Sequence, residues 1–196
     1  TRDLPENDIC SVRPEKCRHD KGNEADREFY EKYCNIDHYV YLSQTSGVKV
    51  GITRHYNIPS RWIDQGAVKA LIIAKVPRRI LSGHIEIVLA KEISDKTNWR
   101  KMLLGQVDEV DFSFMRREMI ECIPQDLKQY ALYEEEVQSF IYPVEAVPEK
   151  ISSHNLDKES EFSEKLTGIK GQYLIFKNRV INMRKYSGYH IEFTFD

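Results

Sequence analysis

Residues 39 to 54 constrain this chain more than any other stretch. Tyr39-Val40-Tyr41-Leu42 is a short aromatic and β-branched run, and Val48-Lys49-Val50-Gly51-Ile52-Thr53-Arg54 is a second, with Gln44-Thr45-Ser46-Gly47 between them. Two such runs separated by a few turn-forming residues read as a β-hairpin. Gly51 falls inside the second strand, where a missing side chain marks either a bulge or the close approach of a ligand or another backbone. Side chains alternate along a strand, so Lys49 and Gly51 share the face opposite Val48 and Val50. Pro59 suits the first turn of a helix, which places Arg61 on the helix that follows the hairpin. One short stretch thus gathers a tyrosine, a lysine, a bare backbone position and an arginine, a set better matched to a phosphate ester than to a core.

With Glu86 in Gly83-His84-Ile85-Glu86-Ile87-Val88-Leu89, this pattern resembles the GIY-YIG nucleases. A longer string is similar to the uncharacterised bacterial family 2797 among domains of unknown function. It runs from His38 to Arg54 and continues in Trp62-Ile63-Asp64-Gln65-Gly66-Ala67, Asp95-Lys96-Thr97-Asn98-Trp99-Arg100 and Gly168-Ile169-Lys170-Gly171-Gln172-Tyr173-Leu174. That likeness covers most of the chain. The GIY-YIG resemblance implies an α+β fold with a three-stranded sheet flanked by helices. Residue by residue, Tyr41 matches the tyrosine of the first half-motif, and Val50 and Gly51 match the second, whose tyrosine position is Lys49 here. Arg61 matches the helix arginine, Glu86 the metal-binding glutamate, and Asn98 a late asparagine.

The activity so implied is that of a metal-dependent nuclease, or nuclease-like phosphodiesterase, acting on DNA or RNA. Glu86 would hold Mg2+ or Mn2+, which accept a carboxylate, waters and substrate phosphate. Tyr41 or His55 would take a proton from the attacking water, and Arg61 would neutralise charge developing on the phosphate. Arg54, Asn98 and Arg100 are expected to contact the substrate, and Lys49 to meet phosphate as a point charge. Lys49 in place of a tyrosine also opens a second reading: a nucleic-acid-binding or adaptor protein that keeps the fold without the chemistry. Taken singly, each residue has a plainer account: Tyr41 as a core aromatic, Arg61 as a solvated helix arginine, Glu86 as a surface carboxylate. Their joint spacing carries the case.

Three of the four cysteines, Cys10, Cys17 and Cys34, lie near the start, with His19 and His38 close by; the fourth is Cys122. These are the ligand types of a structural zinc site, although the spacing is not the common C-x2-C. The resembled family suggests a further cysteine at the position held here by Glu24. Reduced free thiols, or a Cys10–Cys17 disulfide outside the cytosol, are the other readings. Cys122 sits in an apolar helical stretch and reads as a buried thiol.

Hydrophobic residues at 41% suffice for a core, and net charge −2 argues against non-specific coating of nucleic acid. A local basic surface remains open to Lys69, Lys75, Arg78, Arg79, Lys96, Arg100, Lys101, Arg116 and Arg117. No apolar run approaches the length of a membrane span, and no secretory pattern opens the chain, so a cytoplasmic location is expected. The first residue is Thr1, as in a trimmed product. Walker, dinucleotide-binding and nucleophile-elbow motifs are absent from the sequence.

Three segments are expected. Residues 1–37 read as an irregular cysteine-containing region, 38–143 as the GIY-YIG-like α/β domain, and 144–196 as a small β-rich module, barrel-like or a meander. Within them, strands are expected at 39–43, 48–53, 67–76 and 137–143, and helices at 58–66, 77–93, 97–104 and 112–122. Further short strands are expected at 166–169, 172–176, 179–184 and 189–195.

Overall fold

A computed structural model describes residues 4–93, 97–148 and 150–194. Among the described residues, two four-stranded sheets and five α-helices make a mixed α+β architecture. The N-terminal region is more regular than its polar sequence implies. Short 3-10 turns lead into α1 (Glu24–Tyr33), whose start is fixed by a capping box. The Asn23 side chain accepts from the Asp26 N–H, and the Asp26 carboxylate accepts from the Asn23 N–H, both at 3.0 Å. Cys34 caps the helix at its other end.

The hairpin forms as its sequence implies. Strand β1 (His38–Gln44) pairs antiparallel with β2 (Val48–Arg54), Tyr41 facing Gly51, and Thr45-Ser46-Gly47 make the turn. Strand β3 (Lys69–Val76) pairs with the other edge of β1, with a shift in register beside Val40/Tyr41. The sheet has a fourth member where the resemblance implies three. Of the expected strand 137–143, only β4 (Gln138–Ser139) pairs, against the start of β3.

Alternation divides the sheet into two unlike faces. Val40, Leu42, Leu71 and Ile73 pack with Ile85 and Leu89 of α3 (Arg79–Glu92) and with Phe112, Met119 and Ile120 near α5 (Phe112–Glu121). A one-residue slip would turn Val40 and Leu42 out of that core, at about 1.5–3 kcal/mol for each fully buried side chain, so the register is strongly specified. On the opposite face Tyr41 and Ala70 pack with Trp62 of α2 (Ser60–Asp64) and with Ala67. The two flanking helices thus cover opposite faces of one sheet.

The second sheet runs β5 (Ser152–Ser153), β8 (Arg179–Asn182), β7 (Tyr173–Phe176), β6 (Leu166–Lys170), with β5 parallel to β8 and the other pairs antiparallel. It is an open sheet with a parallel edge rather than a barrel or simple meander. Residues 189–194 form no strand, and Phe195 lies outside the described residues. Met102 and Leu103 of α4 (Trp99–Leu103) pack on Tyr173, Ile175 and Val180. The β6–β7 turn is seated against the end of α2: a Cβ on Gly171, whose φ is +57°, would stand 2.9 Å from both the Asp64 carbonyl oxygen and the Gly66 nitrogen. Buried Lys170 donates to the Met102 carbonyl at 2.9 Å, a second tie between this sheet and the rest of the chain.

Candidate functional site

Tyr41 lies at the centre of the candidate site. It is 1% exposed, edge-on to Trp62 with ring centroids 5.7 Å apart, and its ring lies on Gly51. A Cβ at Gly51 would come within 2.6 Å of both Cζ and the phenol oxygen, so the glycine provides the space the ring occupies. The phenol donates to Gln65 Oε1 at 3.3 Å. Burial pushes its pKa up; the Arg61 guanidinium, by charge and by hydrogen bonding, and the Gln65 hydrogen bond pull it down, and the Glu86 carboxylate raises it again. The net shift is upward. Arg61 and Gln65 engage the phenol directly, whereas Glu86, on the helix that covers the opposite face of the sheet, acts on it by charge alone and is the weakest of these influences.

Arg61 and Gln65 stand four residues apart, the spacing that puts two side chains on one side of a helical turn. Gln65 has no assigned role in the sequence reading, and that spacing from Arg61 is the signal that could have found it. Arg61, Lys49 and Glu86 are each half-buried. Lys49 faces Ser43 across the hairpin, two residues from Gly51 and on the same face.

Other expected site residues are placed elsewhere or used locally. His55 follows β2, four residues from Gly51 and so about 13 Å along the strand. Its Nδ1 is 3.3 Å from the Asp37 carbonyl oxygen, and it does not join Tyr41. Arg54 donates to the Tyr33 carbonyl at 3.2 Å and lies over the Tyr33 ring. Asn98 is the N-cap of α4, its Oδ1 accepting from the N–H groups of Arg100 and Lys101. Arg100 is exposed and lies over Trp99, which stacks on Tyr173. Part of the basic patch is engaged at the surface: Lys75 pairs with Asp37 at 2.8 Å, and Arg116 donates to the Glu135 carbonyl. Lys96 and Asp95 lie outside the described residues.

A second constellation lies in the N-terminal region. Cys10, Cys17 and His19 bring ligand atoms within 4.8 Å of one another and could hold a metal such as zinc. His19 Nδ1 stands 3.6 Å from Cys10 Sγ and 3.9 Å from Cys17 Sγ. No disulfide joins the thiols. Cys17 is pushed down to about 5, chiefly by a hydrogen bond from Cys34 and by the His19 N–H. Burial and the Cys17 charge push Cys10 up to about 12, and its bond to Cys17 together with burial push Cys34 up. His38 stays out of this cluster. Its Nδ1–H donates to the Ile36 carbonyl at 2.8 Å, and burial lowers its pKa to about 4. Glu24 is an exposed residue in the first turn of α1.

Together these features define an α+β protein with a buried phenol engaged by Arg61 and Gln65 and a cysteine–histidine cluster in the N-terminal region. The chain belongs to the DUF2797 family, whose model, described as a protein of unknown function, matches residues 1–191. No curated protein and no solved structure matches it. Among the described residues, no helix is long and apolar enough to cross a membrane.

Proposed function

We propose that this chain is a nuclease-like phosphodiesterase of GIY-YIG type, acting on nucleic acid at a site built from Tyr41, Lys49, Gly51, Arg61 and Glu86. The observation that carries the reading is the Tyr41 phenol, seated in the Gly51 notch under the charge and hydrogen bonding of Arg61, with Lys49 on the same strand face. A cationic fork beside a proton-bearing oxygen suits a phosphate ester. Glu86 is the residue that would hold Mg2+ or Mn2+; one carboxylate fits such an ion, which keeps several of its waters. When bound, the ion supplies Lewis-acid stabilisation of charge on phosphate oxygen.

The protein's own groups divide the remaining work. Arg61 binds and orients the phosphate, with Lys49 as a second positive charge. Tyr41, its pKa raised by burial, keeps its proton at neutral pH. It therefore serves as a hydrogen-bond donor that orients its neighbours rather than as a general base. His55 stands too far along β2 to replace it, so the proton of the attacking water passes to solvent or to substrate.

The burial of Tyr41 and the lysine at position 49 favour the second reading, a nucleic-acid-binding or adaptor protein without turnover. A cleavage screen with Mg2+ and Mn2+ over single- and double-stranded DNA and RNA separates the two. Under the nuclease reading Glu86→Ala abolishes cleavage with binding largely retained, and Arg61→Ala weakens both. Cleavage by Glu86→Ala at the parent rate would assign the activity to another site or a contaminant. Binding without cleavage in any substrate would select the adaptor.

A further inference from the structure

We propose that Cys34 completes the Cys10–Cys17–His19 cluster as a closed Cys3His zinc site, and that Arg79 is its counter-charge, fastening the N-terminal turns to helix α3. The distances fit an ion. A tetrahedral zinc with Zn–S about 2.3 Å and Zn–N about 2.0 Å has N···S edges of about 3.5 Å. The two His19 Nδ1···Sγ separations are 3.6 and 3.9 Å. Cys34, 1% exposed, caps α1 beside the cluster, its carbonyl held by Arg79, which also bonds Ser11 next to Cys10; its thiol, outside the 4.8 Å group of the other three, is the one ligand that must draw in to close the site. Ligation through Nδ1 leaves His19 Nε2–H for a second partner. That nitrogen is buried without a hydrogen bond among the described residues, and Asp26 Oδ1 lies 3.9 Å away, placed as the outer carboxylate of a carboxylate–histidine–zinc array. Four protein ligands leave no open position, so the site is structural rather than catalytic.

Charge supplies the link to α3. Zinc with three thiolates and a neutral imidazole carries one net negative charge. The Arg79 guanidinium donates to the carbonyl of Ser11, next to Cys10, at 3.1 Å, while the Arg79 backbone N–H donates to the Cys34 carbonyl at 2.8 Å. One turn on, Gly83 lets the loop between Cys10 and Cys17 rest on the helix: a Cβ there would stand 2.6 Å from the Glu15 nitrogen and 2.9 Å from Pro14 Cγ. The metal knot and the helix carrying Glu86 are therefore built as one unit, whatever the chemistry at Tyr41.

Elemental analysis of the full chain purified without chelator should find one zinc per chain. Cobalt-substituted protein should show charge transfer from three thiolates, and the cadmium NMR resonance should fall in the three-sulfur range. Cys34→Ser should lose a third of the charge-transfer intensity and bind zinc more weakly, with Cys122→Ser as the unaffected control. Arg79→Gln should weaken zinc binding by about 10–100-fold, as loss of an outer-shell partner does, with an unchanged far-UV spectrum at saturating zinc. A chain that neither retains zinc nor takes up cobalt overturns the site. A two-sulfur cadmium resonance, or parental affinity in Cys34→Ser, removes Cys34 from it, and parental affinity in Arg79→Gln removes the link to α3. If a variant fails to fold, the spectra of the parent protein decide the ligand count.

Discussion

Gly51→Ala tests the central contact of the site. The new methyl would lie 2.6 Å from Tyr41 Cζ and from the phenol oxygen, well inside van der Waals contact. Trp62 stands edge-on to the ring and is itself fully buried, so the ring cannot swing away cheaply. Backbone pairing of Tyr41 with Gly51 holds the other side. Relief must come from an off-rotamer Tyr41 or a parting of β1 and β2, and overpacking of this kind costs about 1–3 kcal/mol. For a chain of this length that lowers the melting temperature by roughly 2–12 °C. Tyr41→Leu removes both clashing atoms at the cost of a cavity. In that background Gly51→Ala should be near neutral, because alanine suits a strand interior no worse than glycine. The assay is urea unfolding of the two single mutants and the double, with an expected coupling of about 1–3 kcal/mol. Equal destabilisation by Gly51→Ala in both backgrounds would show that the cost comes from the strand itself, and the account of Gly51 as the seat of the phenol would fail.

Two further outcomes are expected from the structure. His38 has its pKa lowered to about 4 against an ordinary 6.5, so the unfolded chain binds the extra proton first; its contribution to stability is full above about pH 6.5 and is lost as the pH falls through about 4. Urea midpoints measured across that window should fall with acidity and fall less in His38→Gln; an unchanged slope would refute the assignment. Gly171→Ala places a Cβ at φ +57°, which costs about 1–2 kcal/mol, and presses it on Asp64 and Gly66. Faster limited proteolysis of the second sheet should accompany the loss of stability, and a protease pattern identical to the parent would show that the turn is not what seats that sheet.

The hairpin was legible because local pattern and tertiary structure ask for the same thing there: two β-branched runs, a polar turn and a glycine in register with a tyrosine. The helix bearing Ile85, Glu86 and Leu89 was legible for the same reason. Helix α1 was not, because its sequence is mostly polar and none of its residues is fully buried. Its start signal was nevertheless present in the Asn23-x-x-Asp26 capping box, and the role of Cys34 as its cap follows from that start. The substrate arm at Arg54 and the basic patch at Lys75 were read from charge alone. Arg54 and Lys75 have partners a few ångströms away on α1 and in the segment after it, and an unpaired list of cations along a sequence carries no trace of such partners. The choice of His55 as an acid–base group rested on sequence nearness. Strand rise puts His55 at the wrong end of β2, whereas its nearness in sequence to Gly51 suggested the opposite.

Helix α3 is where the two constellations meet. Arg79 and Gly83 face the thiol cluster, Ile85 and Leu89 enter the main core, and Glu86 stands half-buried between those two core residues in sequence. Seven residues separate Arg79 from Glu86, just under two turns, so the two lie on nearly the same side of the helix about 10 Å apart. A helix anchored by two fully buried side chains moves as a body rather than bending between those points. Displacement of its first turn, where the cluster is fastened, therefore displaces Glu86 by a similar amount, and under the proposed nuclease reading an error of about 1 Å there is enough to cost some 100-fold in rate. The N-terminal turns are on this account part of what positions the carboxylate, even though none of their residues comes near the phenol.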